Sequence, residues 1–118
     1  MDNVQVATKV LQRRRGDILL IKKREKQVGG NKSMDYDYVQ LHLEKVSLRN
    51  SDYTDADDYV AEQELVLHGS GHVHSSKGNF PLPQNAYEIP LVGDFNVKEN
   101  PAGIDLSTER AVYTIRYH

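Results

Sequence analysis

Apolar and polar residues alternate along much of this chain, which is the pattern of β-strands with one buried side and one solvent-facing side. The clearest alternation lies at residues 111–117 and predicts a strand with Tyr113 and Ile115 on its buried side. A second alternation covers residues 36–48, and its apolar positions change from odd to even numbers after Leu43. This change predicts a β-bulge near residues 44–45, or a strand that passes from one packed face to another.

The middle of the chain allows two interpretations. Thr54 and Asp57 have the spacing of a helix capping box, so residues 55–65 could form a helix. The apolar residues 65–67 run directly into a glycine-containing segment, which favours a strand from Glu62 onward. Pro81 and Pro90 lack a backbone donor, so we expect the segment that contains Pro81 to cross the surface or an edge of the sheet, and the strand that contains Pro90 to lie at an edge or a bulge.

The first residues also fit two structures. Residues 4–10 carry valines with a period of two and, with residues 18–21, predict a β-hairpin. The same segment fits an amphipathic helix that is capped by Asp2 and Gln5, with Val4, Ala7 and Leu11 on one side. Gly29 and Gly30 then indicate a loop.

Together these elements predict a mainly β, single-domain antiparallel β-sandwich or barrel over residues 1–118, with room for one short helix; the alternative is an α+β fold. Residues 1–28 would form a basic hairpin or helix–strand segment, and residues 34–118 an acidic β body.

Composition narrows the functional classes. The chain has no cysteine, which excludes disulfides, thiolate metal sites and cysteine nucleophiles and is typical of a reducing compartment. It has no apolar run near the ~18 residues of a membrane span, and no apolar signal segment follows Met1. We therefore expect a cytoplasmic protein that does not act in the membrane.

Charge is divided unevenly. Residues 1–33 contain nine Lys or Arg against three Asp or Glu, whereas the rest of the chain is acidic. A cluster of cations predicts binding to a polyanion such as nucleic acid. The candidate residues are Arg13, Arg14, Arg15, Lys22, Lys23, Arg24 and Lys26. The same asymmetry is equally typical of a protein partner or of self-association, which we predict first.

Three histidines have the spacing of a metal site. His68, His72 and His74 share one side of an extended strand, and neutral imidazoles bind divalent transition metals. An exposed polar strand side is the simpler interpretation of the same pattern.

The chain has seven tyrosines and no tryptophan. Tyrosines on strands serve as packing residues or as stacking platforms for bases and sugars. Tyr36 and Tyr38 share one side of their strand.

No motif for a nucleophile or a phosphate-binding loop is present in the sequence. We therefore predict a non-enzymatic binding or assembly module without a cofactor, which acts through macromolecular association or self-association. The alternative is a small metal-binding β-barrel protein or metal-dependent enzyme that uses the histidines.

Overall fold

The structure is a computed structural model that describes residues 2–26, 38–50 and 63–118. Within these residues, one α-helix is followed by eight strands and a 3-10 turn at Pro83–Asn85. The elements are α1 (Asn3–Gln12), β1 (Ile18–Glu25), β2 (Tyr38–Asn50), β3 (Gln63–Ser75), β4 (Gly78–Pro81), β5 (Ala86–Pro90), β6 (Asn96–Asn100), β7 (Gly103–Ser107) and β8 (Ala111–Tyr117). The mainly β class with one short helix is confirmed.

The strands form one antiparallel sheet in the order β4-β3-β2-β1-β8-β7-β6. Strand β5 lies off this path and pairs with the first half of β3, while β4 pairs with its last residues. Both short strands therefore share the edge of β3 opposite β2, and the proline-containing segments lie at an edge, as predicted. Within the described residues no pairing joins β4 to β6, so the finer prediction of a sandwich or barrel is not confirmed.

The predicted N-terminal hairpin is wrong, and the alternative helix is correct. The Asp2 carboxylate accepts a hydrogen bond from the Gln5 backbone N–H at 2.8 Å, and the Gln5 side chain accepts one from the Asp2 N–H. Helical spacing buries Ala7, Val10 and Leu11 in the core. A strand with a period of two would have placed Val4, Val6 and Val10 on one side, whereas the helix leaves Val6 only partly buried against the core.

The bulge in β2 is confirmed. Leu43 pairs with Gly69 and Lys45 pairs with His68, so Glu44 is the extra residue. Because of this insertion, β2 directs odd-numbered residues such as Leu41 into the core before the bulge and Val46 after it.

The sheet and α1 enclose one hydrophobic core. Strand β8 contributes Ala111, Tyr113 and Ile115, as the alternation predicted. Tyr113 meets Tyr87 of β5 edge to face at 6.3 Å between ring centroids, so β5 and β8 approach each other although they do not pair. Burial raises the pKa of Tyr113 to about 12 and also raises that of Tyr87.

Strand β3 begins at Gln63, which confirms the strand predicted from Glu62 onward, although Glu62 itself is not described. The alternative helix over residues 55–65 is wrong at residues 63–65, which belong to β3, and its other residues lie outside the described ones. The loop expected around Gly29 and Gly30, and Tyr36, also lie outside the described residues. In the part of the chain that is described, no helix has the length and hydrophobicity required to cross a bilayer.

Candidate polyanion-binding face

The sheet has an inner face that contacts the core and a second face, here called the outer face. Strand β1 shows the difference, because Leu19 and Ile21 are buried on the inner face. Lys22 and Arg24 alternate with inner-face positions, lie on the outer face and are exposed. The outer face is therefore the sheet surface that is available to a partner.

A continuous line of polar residues, here called the polar row, crosses the outer face. Each member lies directly opposite the next across an antiparallel pair, so their side chains point to the same side. The polar row consists of Asn79, His74, Tyr38, Lys22, Thr114, Asp105 and Lys98, one from each strand of the path from β4 to β6. At about 4.8 Å between neighbouring strands, the row is about 29 Å long.

An aromatic stack lies in the polar row beside a lysine. The rings of Tyr38 and His74 are stacked with 4.6 Å between centroids and 13° between planes. Lys22 lies opposite Tyr38 on the neighbouring strand. Both rings belong to half-buried residues, so the neighbouring structure restricts their motion.

Two further residues define the surroundings of this stack. The Nδ1 atom of His74 is hydrogen-bonded to the Asn79 side-chain oxygen at 2.8 Å, so this bond fixes one edge of the imidazole. His72 lies two residues before His74, with 6.5 Å between ring centroids. Gln40 lies opposite His72, so an amide and a second imidazole form the next row of the outer face.

The histidines that predicted a metal site do not surround one point. His68 is hydrogen-bonded through Nε2 to the Ser47 hydroxyl at 2.8 Å, beyond the bulge. His74 has one ring nitrogen bonded to Asn79, and only His72 is its histidine neighbour. Among residues 2–26, 38–50 and 63–118, no three His, Asp or Glu side chains are arranged to hold one ion.

The structure also divides the basic residues that predicted a polyanion site. Arg13, Arg14 and Arg15 lie in the turn between α1 and β1. The Arg14 guanidinium lies 3.8 Å above the centroid of the Tyr117 ring and 3.5 Å from the Asp17 carboxylate. These arginines therefore lie just before the start of β1. Lys22 and Lys23 lie in the second half of β1, about 20 Å farther along an extended chain.

The basic residues at the end of β1 differ in their surroundings. Lys23 lies 3.6 Å from the Glu25 carboxylate, on the side of the strand that carries the core residues. The Lys26 ammonium donates hydrogen bonds to the Ser107 hydroxyl and the Thr108 carbonyl. Lys22 and Arg24 make no ion pair or side-chain hydrogen bond with any described residue.

Beyond the bulge, the arginine at the end of β2 is paired with carboxylates of β3 and β5. The Arg49 guanidinium of β2 pairs with the carboxylates of Glu64 on β3 and Glu88 on β5. The hydrogen bond to Glu64, which has the largest effect, and the hydrogen bond to Glu88 raise the pKa of Arg49 above its ordinary value. This end of the hairpin between β2 and β3 thus carries an ion cluster whose cation is paired within the fold.

Gln40 and Asn79 belong to the site but were not among the candidates from the sequence. Each residue number has the parity of the outward-facing positions on its strand. Polar residues of this kind, however, are common on the exposed side of any strand. Their relevance depends on the register between β2, β3 and β4, which sequence periodicity does not determine.

Comparison with known proteins places the chain in a family. The YmzB protein of Bacillus subtilis (strain 168), which is described as uncharacterized, is 51% identical over 81 residues, a stretch of 69% of this chain and 67% of that protein. No solved structure matches the chain. A family model described as "YmzB-like protein" matches residues 1–118. The chain therefore belongs to the YmzB-like protein family.

Proposed function

We propose that the chain is a non-enzymatic binding module that holds a polyanion on the outer face of its sheet. The observation that carries this proposal is an exposed cation in the polar row, Lys22, which forms no ion pair or side-chain hydrogen bond with any described residue. Arg24 lies two residues along the same side of β1. Two cations that are not paired with described residues attract phosphate groups and keep their full charge for that contact.

The alternative partner is a protein or a second copy of the chain. The cores of protein interfaces contain few charged residues and are depleted in lysine, whereas aromatic and apolar anchors are frequent there. Among the described residues, the large hydrophobic side chains that are exposed are Leu48 and Phe80. They lie opposite Leu65 and Val73, on the inner face, and so supply no apolar anchor to the outer face, which supports a polyanion as the partner.

The test is the salt dependence of binding to fluorescein-labelled inorganic polyphosphate, measured by fluorescence anisotropy. Each phosphate contact that is lost reduces the slope of log K against log salt by about 0.7–0.9. The double variant Lys22→Ala/Arg24→Ala should therefore flatten the slope by about 1.5. The matched control is Arg13→Ala/Arg15→Ala, which removes the same charge from the turn after α1 and should leave the slope nearly unchanged.

Two results would overturn the proposal. If the parent protein does not bind polyphosphate at low salt, the chain is not a polyanion-binding module. If the Arg13→Ala/Arg15→Ala variant loses the slope and the Lys22→Ala/Arg24→Ala variant keeps it, the contact lies at the turn and not on the outer face.

A further inference from the structure

The aromatic stack gives the outer face a property that phosphate binding does not require. Lys22 and Arg24 alone would hold any polyanion, and nothing in that attraction needs two rings between the cations and β4. Because Tyr38 and His74 are parallel, each ring covers one face of the other and leaves its second face outside the pair. Such faces bind flat, unsaturated rings.

We infer that the polyanion is a single-stranded nucleic acid, one of whose bases stacks on the Tyr38–His74 pair while its phosphates contact Lys22 and Arg24. This inference rests on the proposed function. Single strands are bound by a cationic surface that follows the backbone together with aromatic side chains that stack on bases. The outer face has both components on adjacent strands, with Lys22 directly opposite Tyr38.

The position of the stack is fixed before any ligand arrives. The His74 ring of β3 is hydrogen-bonded to Asn79 on the neighbouring strand β4 and stacked on Tyr38 of the neighbouring strand β2. A ring that is already oriented loses little conformational entropy when a base binds. Gln40 and His72 lie two residues from Tyr38 and His74 on the same strands and on the same face. Their side chains carry hydrogen-bond donors and acceptors that can reach the edge of a stacked base.

A duplex fits this surface less well. Its bases are stacked on each other, so their faces are closed to protein rings, and their edges are reached through grooves that admit a helix or a narrow ribbon. The polar row extends across seven strands of the sheet, so this surface is too broad to enter a groove. A single strand can turn its bases toward the sheet, which predicts a preference for single-stranded over double-stranded ligands.

The experiment compares three labelled ligands by fluorescence anisotropy: a single strand of about 12 nucleotides, the duplex of the same sequence, and inorganic polyphosphate. The parent protein should bind the single strand more tightly than the duplex. Tyr38→Leu should weaken single-strand binding by about 5- to 150-fold, the range for one lost stacking contact. It should leave polyphosphate binding unchanged, and Tyr38→Phe, which keeps the ring, should retain single-strand binding.

A second readout on the parent protein does not depend on whether the variants fold. Stacking of a base should shift the ring proton resonances of Tyr38 and His74 when the single strand is added, and polyphosphate should shift them much less. If polyphosphate binds through Lys22 and Arg24 but the duplex binds as well as the single strand and the ring resonances do not move, the inference is wrong and the proposed function stands. If none of the three ligands binds, both are wrong.

Discussion

Each end of the β2–β3 strand pair has a cation on the outer face, Arg49 of β2 at one end and Lys22 of the neighbouring β1 at the other, and the two cations differ in their partners. Beyond the bulge, Arg49 is held between two carboxylates, those of Glu64 and Glu88. Before the bulge, Tyr38 lies beside Lys22, which is not paired with any described residue. The cation at one end is paired within the fold, and the cation beside the other end is exposed next to the aromatic stack.

The difference shows that the number of cations on a surface is a poor guide to a binding site. An arginine that already contacts two carboxylates must lose those bonds before it contacts a phosphate, whereas a solvated lysine exchanges only water and small ions. The neighbours of each cation therefore decide its role. By this criterion, Lys22 and Arg24 are candidates and Arg49 is not.

The largest expected effect tests whether the outer face near Lys22 is exposed to solvent and available to a partner. Ile115→Ala on the inner face of β8 should lower the free energy of unfolding by about 2–5 kcal/mol, because the side chain is fully buried. Thr114→Ala, on the outer face beside Lys22, should change it by no more than about 0.5 kcal/mol. Urea denaturation measures both, and equal losses would mean that the outer face is covered.

The next prediction concerns Gly71 of β3, which lies between the aromatic stack and the Arg49 cluster. A Cβ atom at Gly71 would lie 2.1 Å from the Gln40 carbonyl oxygen, so β2 and β3 approach too closely for a side chain there. Gly71→Ala should lower the free energy of unfolding by about 1–3 kcal/mol through this overlap. Ser70→Ala, at the exposed neighbouring position, is the control and should be close to neutral. Thermal denaturation that finds the two variants equally stable would show that the close approach is not required.

A smaller effect tests the role of ion pairing directly. Glu64→Gln/Glu88→Gln removes both carboxylates from Arg49 and should make it available to phosphate. We expect the slope of log K against log salt for polyphosphate to steepen by about 0.7–0.9, the contribution of one added contact. The control Glu44→Gln/Glu99→Gln makes the same change in net charge at exposed residues that form no described ion pair. An identical change in both variants would attribute the effect to net charge and remove the distinction between the two ends.

Part of the fold could be predicted from the sequence because some of its strands alternate apolar and polar residues. The alternation identified β8, and the change of parity after Leu43 located the bulge. The N-terminal segment was different, since its valines fit a period of two and a period of 3.6 almost equally. The capping pair Asp2 and Gln5 carried the decisive local information.

The site was less predictable for a physical reason. The basic residues, the histidines and the tyrosines are three separate features of the sequence. Their combination into one row depends on the pairing of β1 with β2 and of β2 with β3, in which Lys22, Tyr38 and His74 are successive neighbours. Long-range register of this kind is set by the whole folded sheet and has no local sequence pattern.

The most direct test of the outer-face site is an NMR titration of the ¹⁵N-labelled parent protein with inorganic polyphosphate. Backbone amide signals of Lys22 and Arg24 should shift as the ligand is added, because these two residues of β1 carry exposed cations on the outer face. Signals of Arg49, Glu64 and Glu88 should stay in place, because Arg49 is already paired with both carboxylates. Shifts concentrated at residues 13–17 or at the Arg49 cluster, with none around Lys22, would contradict this account.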